Sequence, residues 1–500
     1  MTAVDPRSPC IIGVAARTWH PEDVGAAGAP EPLVMWEDVA RAAEADTGVA
    51  NVLGRLDSLQ VVYTQTWQYD DAVARLAERL GADPGHRLYS GIGGNTPQLL
   101  VNDTAVRMLA GECDLALVTS AEALATQRAY KKRGDRYPYS FKPAERRPFP
   151  WDAMPDPVEV AHEVFQAWLT FAMFDNARRA RLGAGLDEYR DGIGTMMASF
   201  TEVAAANPHA WFRTARTPAE IVTPAPANRM VGYPYTKYMI SVMDVDMAAA
   251  VLVATHERAD ALGVPPERRV YLRGWGDARD PVLVAAHPEM GRSPAMATAS
   301  AAALAGAGAG IDDVAHLDLY SCFPSAVHFA CDALGIEPAD ARGLTLTGGL
   351  ANHGGAGSGY VTHAIAAMTD RLRADPGALG LVSGVGMHMT KHTFGCYSAT
   401  PGPVAAPGPA GPPREVAVAA THDGDATVAA YAVVHDRDGV AANAALVVDL
   451  PGGGRAYAVT GAPALCEAAE RDEWVGSRVR LAVERADGPG GPADRNVVVG

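Results

Sequence analysis

A single histidine set inside a run of glycines is the first place where residue type and spacing in this sequence can do chemistry. Thr347 to Gly359 reads TGGLANHGGAGSG and stands just before a helical stretch. Glycines let backbone N–H groups approach a ligand closely, and a helix N-terminus favours developing negative charge. His353 can then donate to a thioester oxyanion, the kind of stabilisation that matters most in acyl transfer. A Gly-rich turn with an incidental histidine would contain the same residues. A second element is LDLYSCFPSAV, Leu317 to Val327, a buried strand running into Tyr320, Ser321, Cys322 and Phe323. Strand ends gather sites in α/β sheets, so Cys322 is a candidate reactive thiol, although an isolated cysteine more often packs, as Cys331 is expected to do. The third element is GLVSGVGMHMTKH, Gly380 to His392, a strand ending in glycines and then His388, Lys391 and His392. That cluster either faces phosphates or is a solvated loop, the commoner case. His388 and His392 stand at i, i+4 but lack a nearby acidic ligand, so no metal site is expected. No nucleotide-binding glycine signature stands at a strand exit.

These residues need elements to hold them. Upstream of residue 400, β-branched runs alternate with amphipathic or small-residue segments, the pattern of an α/β layered fold. The segment from Trp36 to Tyr63 (helix, Gly turn, LDSLQVVY) is echoed from Met296 to Phe323 (helix, turn, HLDLYSCF). Later, GGNTPQLLVNDTAVRMLAGECDLALVTS is echoed by the Gly-rich loop, helix and strand that end in GALGLVSGVG. Two echoes in the same order point to a duplicated half. The halves flank an insertion, 127–238, rich in Arg, Tyr, Pro and Trp, with little strand character. A long insertion of this kind usually covers a site. Pro401 to Pro413, PGPVAAPGPAGPP, reads as an extended linker. Beyond it TVAAYAVVHD, AALVVDL, AYAVT and SRVRLAVE are short runs separated by turn signals, which predicts a small β-rich domain of oligonucleotide/oligosaccharide-binding (OB) type. The expected organisation is 1–126, first half; 127–238, inserted loops; 239–400, remainder of the core; 401–414, linker; and 415–500, tail domain.

Composition bounds the function. The 500 residues are 48% hydrophobic and 20% charged, enough for a sizeable core and against disorder. With 42 Lys and Arg against 58 Asp and Glu, a net charge of −16 argues against nucleic acid as a partner. The tail offers Trp474 and two tyrosines as its only obvious stacking residues, which also counts against that partner. Cys10, Cys113, Cys322, Cys331, Cys396 and Cys466 are scattered, with no CxxC pair, as in a reduced cytoplasmic protein. The start of the chain has no basic flank followed by a long apolar core, and no apolar run approaches the ~20 residues of a membrane span, so neither export nor membrane insertion is expected.

The three elements and the duplicated half together resemble the thiolase superfamily, over nearly all of residues 1–400. YSCF at Tyr320 to Phe323 looks like the HDCF motif of sterol-carrier-protein-type thiolases and related acetyl-CoA acetyltransferases. NHGGAGSG at Asn352 to Gly359 is similar to the histidine-plus-glycine motif and carries the family histidine onto His353. The CxG motif corresponds to Val382, Ser383 and Gly384. With the added β-rich domain, the chain is most like the bacterial type 1 thiolase-like proteins. The resemblance implies a duplicated five-layered αβαβα fold and a coenzyme A thioester as ligand. It places Gly94, Asn95, Thr96, Asn352, Gly357, Ser358, Gly384 and Gly386 around that ligand. It also puts the nucleophile position at Gly94 and the proton-handling position at Val382, neither of which is cysteine. The nearest cysteine to Gly94 is Cys113, expected in a strand, and Cys322 does not match the family's attacking residue.

Three functions follow. The first is an acyl-CoA-binding protein of the acetyl-CoA acetyltransferase class without Claisen chemistry. The second is an acyltransferase or thioester hydrolase using His353 and an unrecognised nucleophile such as Cys322. The third is a non-catalytic subunit whose tail recruits another lipid-pathway protein. The sequence leaves the oligomeric state, monomer or dimer, open.

Overall fold

The computed structural model describes residues 4–151, 155–488 and 490–499. The first half of its main sheet consists of β1 (Pro9–Thr18), β2 (Ser58–Val61), β3 (His86–Tyr89) and β4 (Leu115–Ala123). A long excursion follows, which contains β5 (Met230–Tyr233) and β6 (Tyr235–Thr236), and the chain then returns as β7 (Asp246–Thr255). The second half is β8 (Val270–Arg279), β9 (Val314–Asp318), β10 (Leu379–Gly386) and β11 (Lys391–Ser398). The sheet order is β3-β2-β4-β7-β1-β8-β11-β10-β9.

The duplication read from the sequence is visible strand by strand. β1 is antiparallel to β7, β7 to β4, and β4 is parallel to β2. β8, β11, β10 and β9 repeat those relations. Even the irregularities repeat: Ile12 in β1 and Arg273 in β8 are skipped in the pairing, and a glycine follows each. A Cβ on Gly13 would run into the Ala43 carbonyl, and one on Gly274 into that of Ala303, so both strands lie closer to their helix than any side chain permits. The half-sheets are joined through the strand pairs Cys10↔Tyr271 and Ile11↔Val270.

Helices complete the layers. Pro32–Asp46 starts on a proline and buries Leu33, Trp36, Val39, Ala40 and Ala43, an apolar stripe at three- to four-residue spacing, against β1 and β7. Pro294–Ala307 packs likewise on β8 and β11. Between the half-sheets, Thr96–Ala110 and Tyr360–Ala374 touch each other and strands of both halves, the central layer of a five-layered αβαβα arrangement.

After Pro401–Pro413, which forms neither helix nor strand, come β12 (Gly424–His435), β13 (Ala441–Asp449), β14 (Arg455–Thr460), β15 (Arg478–Gly488) and β16 (Gly491–Val498). Their order is β13-β14-β16-β15-β12, and β12 also pairs with β13, so the five strands close on themselves. The structure corrects the sequence reading at four places. β16 was not expected, because it opens on Gly-Pro and carries charges; nor was the helix Pro463–Arg471. The inserted segment does contribute strand: β5 joins β12 through Val433↔Tyr233 and Val434↔Gly232, lengthening the tail sheet. Cys113 lies in the turn before β4 rather than in the strand. Among the described residues, no helix is long and apolar enough to cross a membrane.

Candidate functional site

Three glycine loops converge where the central helices begin. The Gly93 amide donates to Ser358 Oγ at 3.0 Å, which ties the loop before Thr96–Ala110 to the loop before Tyr360–Ala374. A Cβ on Gly384 would meet the Asn95 Cα, and one on Gly386 the Asn95 side-chain oxygen. The structure therefore gathers Gly94, Asn95, Thr96, Ser358, Gly384 and Gly386. Asn95 is buried and its Oδ1 has no hydrogen-bond partner. Gly357 instead lies against the Glu122 carboxylate. That carboxylate accepts from the Thr64 and Thr66 hydroxyls and the Gln65 amide, while burial pushes its pKa up to about 6. Asn352 is a loop anchor: its Nδ2 donates to the Gly348 carbonyl and its own carbonyl accepts from the Phe212 amide.

The centre of this convergence is filled. A Cβ at position 94 would fall on the Tyr320 hydroxyl and close to the Val385 carbonyl, so the tyrosine of YSCF stands where a nucleophilic side chain would grow. The ring is 5% exposed, its backbone amide donates to Ser383 Oγ at 2.9 Å, and burial raises its pKa well above the tyrosine range. Val382 is core. Cys322 is buried, its thiol pushed far up by desolvation, so it has none of the electropositive surroundings that make a thiolate. Ser321 Oγ accepts from the Leu350 amide at 3.1 Å and holds the glycine loop against this strand end.

His353 goes elsewhere. The rings of Tyr320 and Tyr360 meet edge-on at 5.7 Å and those of Tyr360 and His353 at 5.9 Å, so two aromatic rings link position 94 to the histidine. His353 Nδ1 lies 3.3 Å from Asn207 Nδ2, and its ring meets that of His363 at 5.2 Å, on the wall of a cavity of about 490 Å3. Burial, reinforced by His209, pushes its pKa down to about 3, so the ring is neutral. Sequence reasoning missed His363 and Asn207. The signal for His363 was a histidine on an otherwise apolar helix face, YVTHAIAAM.

The cluster at the end of β10 is not the solvated loop that was the commoner reading of the sequence. His392 Nε2 pairs with buried Asp280 at 3.0 Å, His388 Nδ1 lies 3.1 Å from Thr170 Oγ1, and Lys391 Nζ donates to the Ile92 carbonyl at 2.9 Å. The tight turn Met387–Thr390 sends the three side chains to different partners, with Met387 and Met389 both in the left-handed region, at φ 57° and 59°. Among the described residues, no three His, Cys, Asp or Glu side chains are placed to hold a metal ion.

This duplicated αβαβα body, with glycine loops meeting at the starts of two central helices, defines a thiolase-fold protein. An SCP2-thiolase like protein type 1 from Mycobacterium smegmatis, described as monomeric, is similar to it at 31% identity and TM-score 0.84, over 99% of this chain and 100% of that one. The chain belongs to the SCP2-thiolase-like proteins of the thiolase superfamily. The Ltp2–ChsH2(DUF35) aldolase (17% identity, 78% and 98% coverage, TM-score 0.58) shares the fold. So does the acetyl-CoA acetyltransferase of Syntrophomonas wolfei (15%, 79% and 100%, TM-score 0.56). No protein-family model and no curated protein matches the chain.

Proposed function

We propose that this protein binds a coenzyme A thioester without forming an acyl-enzyme, as a thiolase-fold protein without Claisen chemistry. One observation carries the reading: the Tyr320 hydroxyl occupies the space a side chain at position 94 would need. Covalent acyl transfer needs an activated nucleophile with room for a tetrahedral adduct. Gly94 and Val382 supply no sulfur, and the Cys322 thiol is held protonated by burial.

Charge supports the coenzyme A part. Arg128 to Arg147 carries eight cations and two acids, and three of the chain's five lysines, in a protein of net charge −16. Its side chains Lys131, Lys132, Arg136, Lys142 and Arg146 are exposed. Clustered cations are what phosphates select. This stretch leads to Phe149, edge-on to Tyr63 at 5.6 Å, and the Tyr63 amide donates to Ser90 Oγ beside the Gly91 loop. All six cysteines are free and buried, which supports a reducing, cytoplasmic setting, and the similar monomeric protein supports a monomer.

Acetyl-CoA titrated by calorimetry, with intact-mass measurement of the same samples, tests the reading. Saturable binding that weakens with salt, weakens about 10-fold in Lys131→Glu/Lys132→Glu, and leaves the mass unchanged is expected. An acyl adduct, or thioester hydrolysis abolished in His353→Ala, establishes the catalytic alternative. Absence of binding overturns the choice of ligand.

A further inference from the structure

Where the inserted region, the end of the main sheet and the tail linker come together, they enclose another cavity, of about 290 Å3, near the lower end of the small-molecule range. The inserted region supplies Trp151, Pro155 and Phe165, the chain after β8 supplies Val282, the turn between β10 and β11 supplies Met387, and the linker ends on Pro413. Apolar side chains from four separate stretches thus line one space. Trp151 and Val282 are also 44% and 57% exposed, so the apolar wall runs out to the surface. Exposed apolar surface gathered at a concave place marks a binding site.

Most polar groups on this wall already have partners. Glu159 accepts from the Tyr457 hydroxyl at 2.7 Å and the Val284 amide at 3.0 Å. Asp280 pairs with His392 and accepts from the Ser293 hydroxyl, Lys391 donates to the Ile92 carbonyl, and Arg279 and Glu415 are exposed to water. His388 is different. Its Nε2 has no partner among the described residues and, unlike the ring nitrogens of His363, is not sealed from solvent. The other ring nitrogen fixes what Nε2 can do. The Thr170 hydroxyl gives its single hydrogen to the Ala167 carbonyl at 3.1 Å, so its oxygen accepts from His388 Nδ1 at the same distance. Burial pushes the His388 pKa down to about 4, and the ring is neutral at pH 7. A neutral imidazole with its proton on Nδ1 bears a lone pair on Nε2. The cavity therefore offers one hydrogen-bond acceptor in an apolar wall. A hydroxyl donates to it, whereas a ketone or ether oxygen has no hydrogen to give. A carboxylate meets the lone pair with negative charge, and an ammonium must shed its water among apolar side chains.

We propose that this cavity binds an uncharged, apolar molecule through a single hydroxyl, which donates to His388 Nε2 while the hydrocarbon body packs against Trp151, Phe165, Val282 and Met387. Thr170 is a positioning residue, which holds the imidazole in the tautomer that accepts. The site is separate from the thioester reading and stands whether or not the glycine loops bind coenzyme A.

Full-length protein is titrated at pH 7.5 with cyclohexanol, cyclohexanone and cyclohexylamine, which share one hydrocarbon ring, while the Trp151 indole and the His388 imidazole are followed by NMR. Cyclohexanol is expected to shift both signals saturably and to bind at least about 10-fold more tightly than either of the others. In His388→Phe, which keeps a ring but no acceptor, the preference for alcohol over ketone falls to about 2-fold or less. Thr170→Val releases Nδ1, lets Nε2 carry the proton, and narrows the preference in the same way without touching the ligand. If His388→Phe does not fold, Thr170→Val decides the matter. An unchanged preference in a folded variant overturns the proposal. So does equal binding of alcohol and ketone by the wild type, which makes the cavity a purely apolar slot. Tighter binding of cyclohexylamine makes it a cation site at Glu159 and Asp280, and no response to any probe means that it holds water only; either result also overturns the proposal.

Discussion

The two central helices begin alike and end in opposite surroundings. At the start of Thr96–Ala110 the space beside Gly94 is packed with the Tyr320 ring, which arrives from the second half of the fold. Along Tyr360–Ala374 a flank of alanines leaves a histidine-floored cavity. A duplicated scaffold thus leaves the packing of each region to its own side chains: a large ring closes the space beside Gly94, and small residues leave the flank of Tyr360–Ala374 open. In the closed region one added carbon has nowhere to go, whereas in the open one several do.

That contrast is sharpest for overpacking. Gly94→Ala places its methyl on the Tyr320 hydroxyl and near the Val385 carbonyl, and is expected to lower stability by about 3 kcal/mol in urea unfolding. The same change in a Tyr320→Phe background should cost at least about 1 kcal/mol less, because the hydroxyl is the nearest obstacle; equal costs would show that the ring carbon Cζ, which Phe keeps, and the Val385 carbonyl dominate.

Acid comes next in size. His353, with its pKa near 3, and His363 are neutral when folded and titrate near 6.5 when unfolded. The unfolded state therefore takes up protons that the folded state refuses. Stability is complete above about pH 7 and falls as pH drops from 6.5 toward 3. At pH 5 His353 accounts for a loss of about 2 kcal/mol, and His363 adds to it in the same direction. Urea midpoints of His363→Gln measured at pH 7.5 and 5 should show a correspondingly shallower decline. The smallest effect belongs to the open wall: Ala367→Leu is expected to change stability by less than about 1 kcal/mol. A loss as large as that of Gly94→Ala would abolish the contrast between the two regions.

How much of this was legible in the sequence depended on range. The repeated helix–turn–strand units are local, and Gly13 and Gly274 mark the same close approach in each, so the duplicated body could be read. The absence of sulfur at 94 and 382 was equally plain. What replaced it was not, because the placement of Tyr320 is a contact between halves more than two hundred residues apart in the chain. His353 was found by its motif, but its direction is set by Asn207 and His363, which no motif marks. The cationic cluster at 388–392 was misread because the left-handed turn at Met387 and Met389 hides its members. β5 escaped notice because MVGY has only the two-residue β6 beside it locally and joins a sheet only through β12.

That last pairing has a consequence for assembly on the ribosome. β5 is laid down roughly 190 residues before β12. At translation rates of about 5–20 residues per second, it waits roughly 10–40 s for its neighbour. The helix Ala167–Leu182 waits with it, since Arg179 pairs with Glu473 and Asn176 donates to the Tyr431 carbonyl. The inserted region is therefore finished last although it is made early, and the nascent chain carries an unpaired edge there until its final domain emerges.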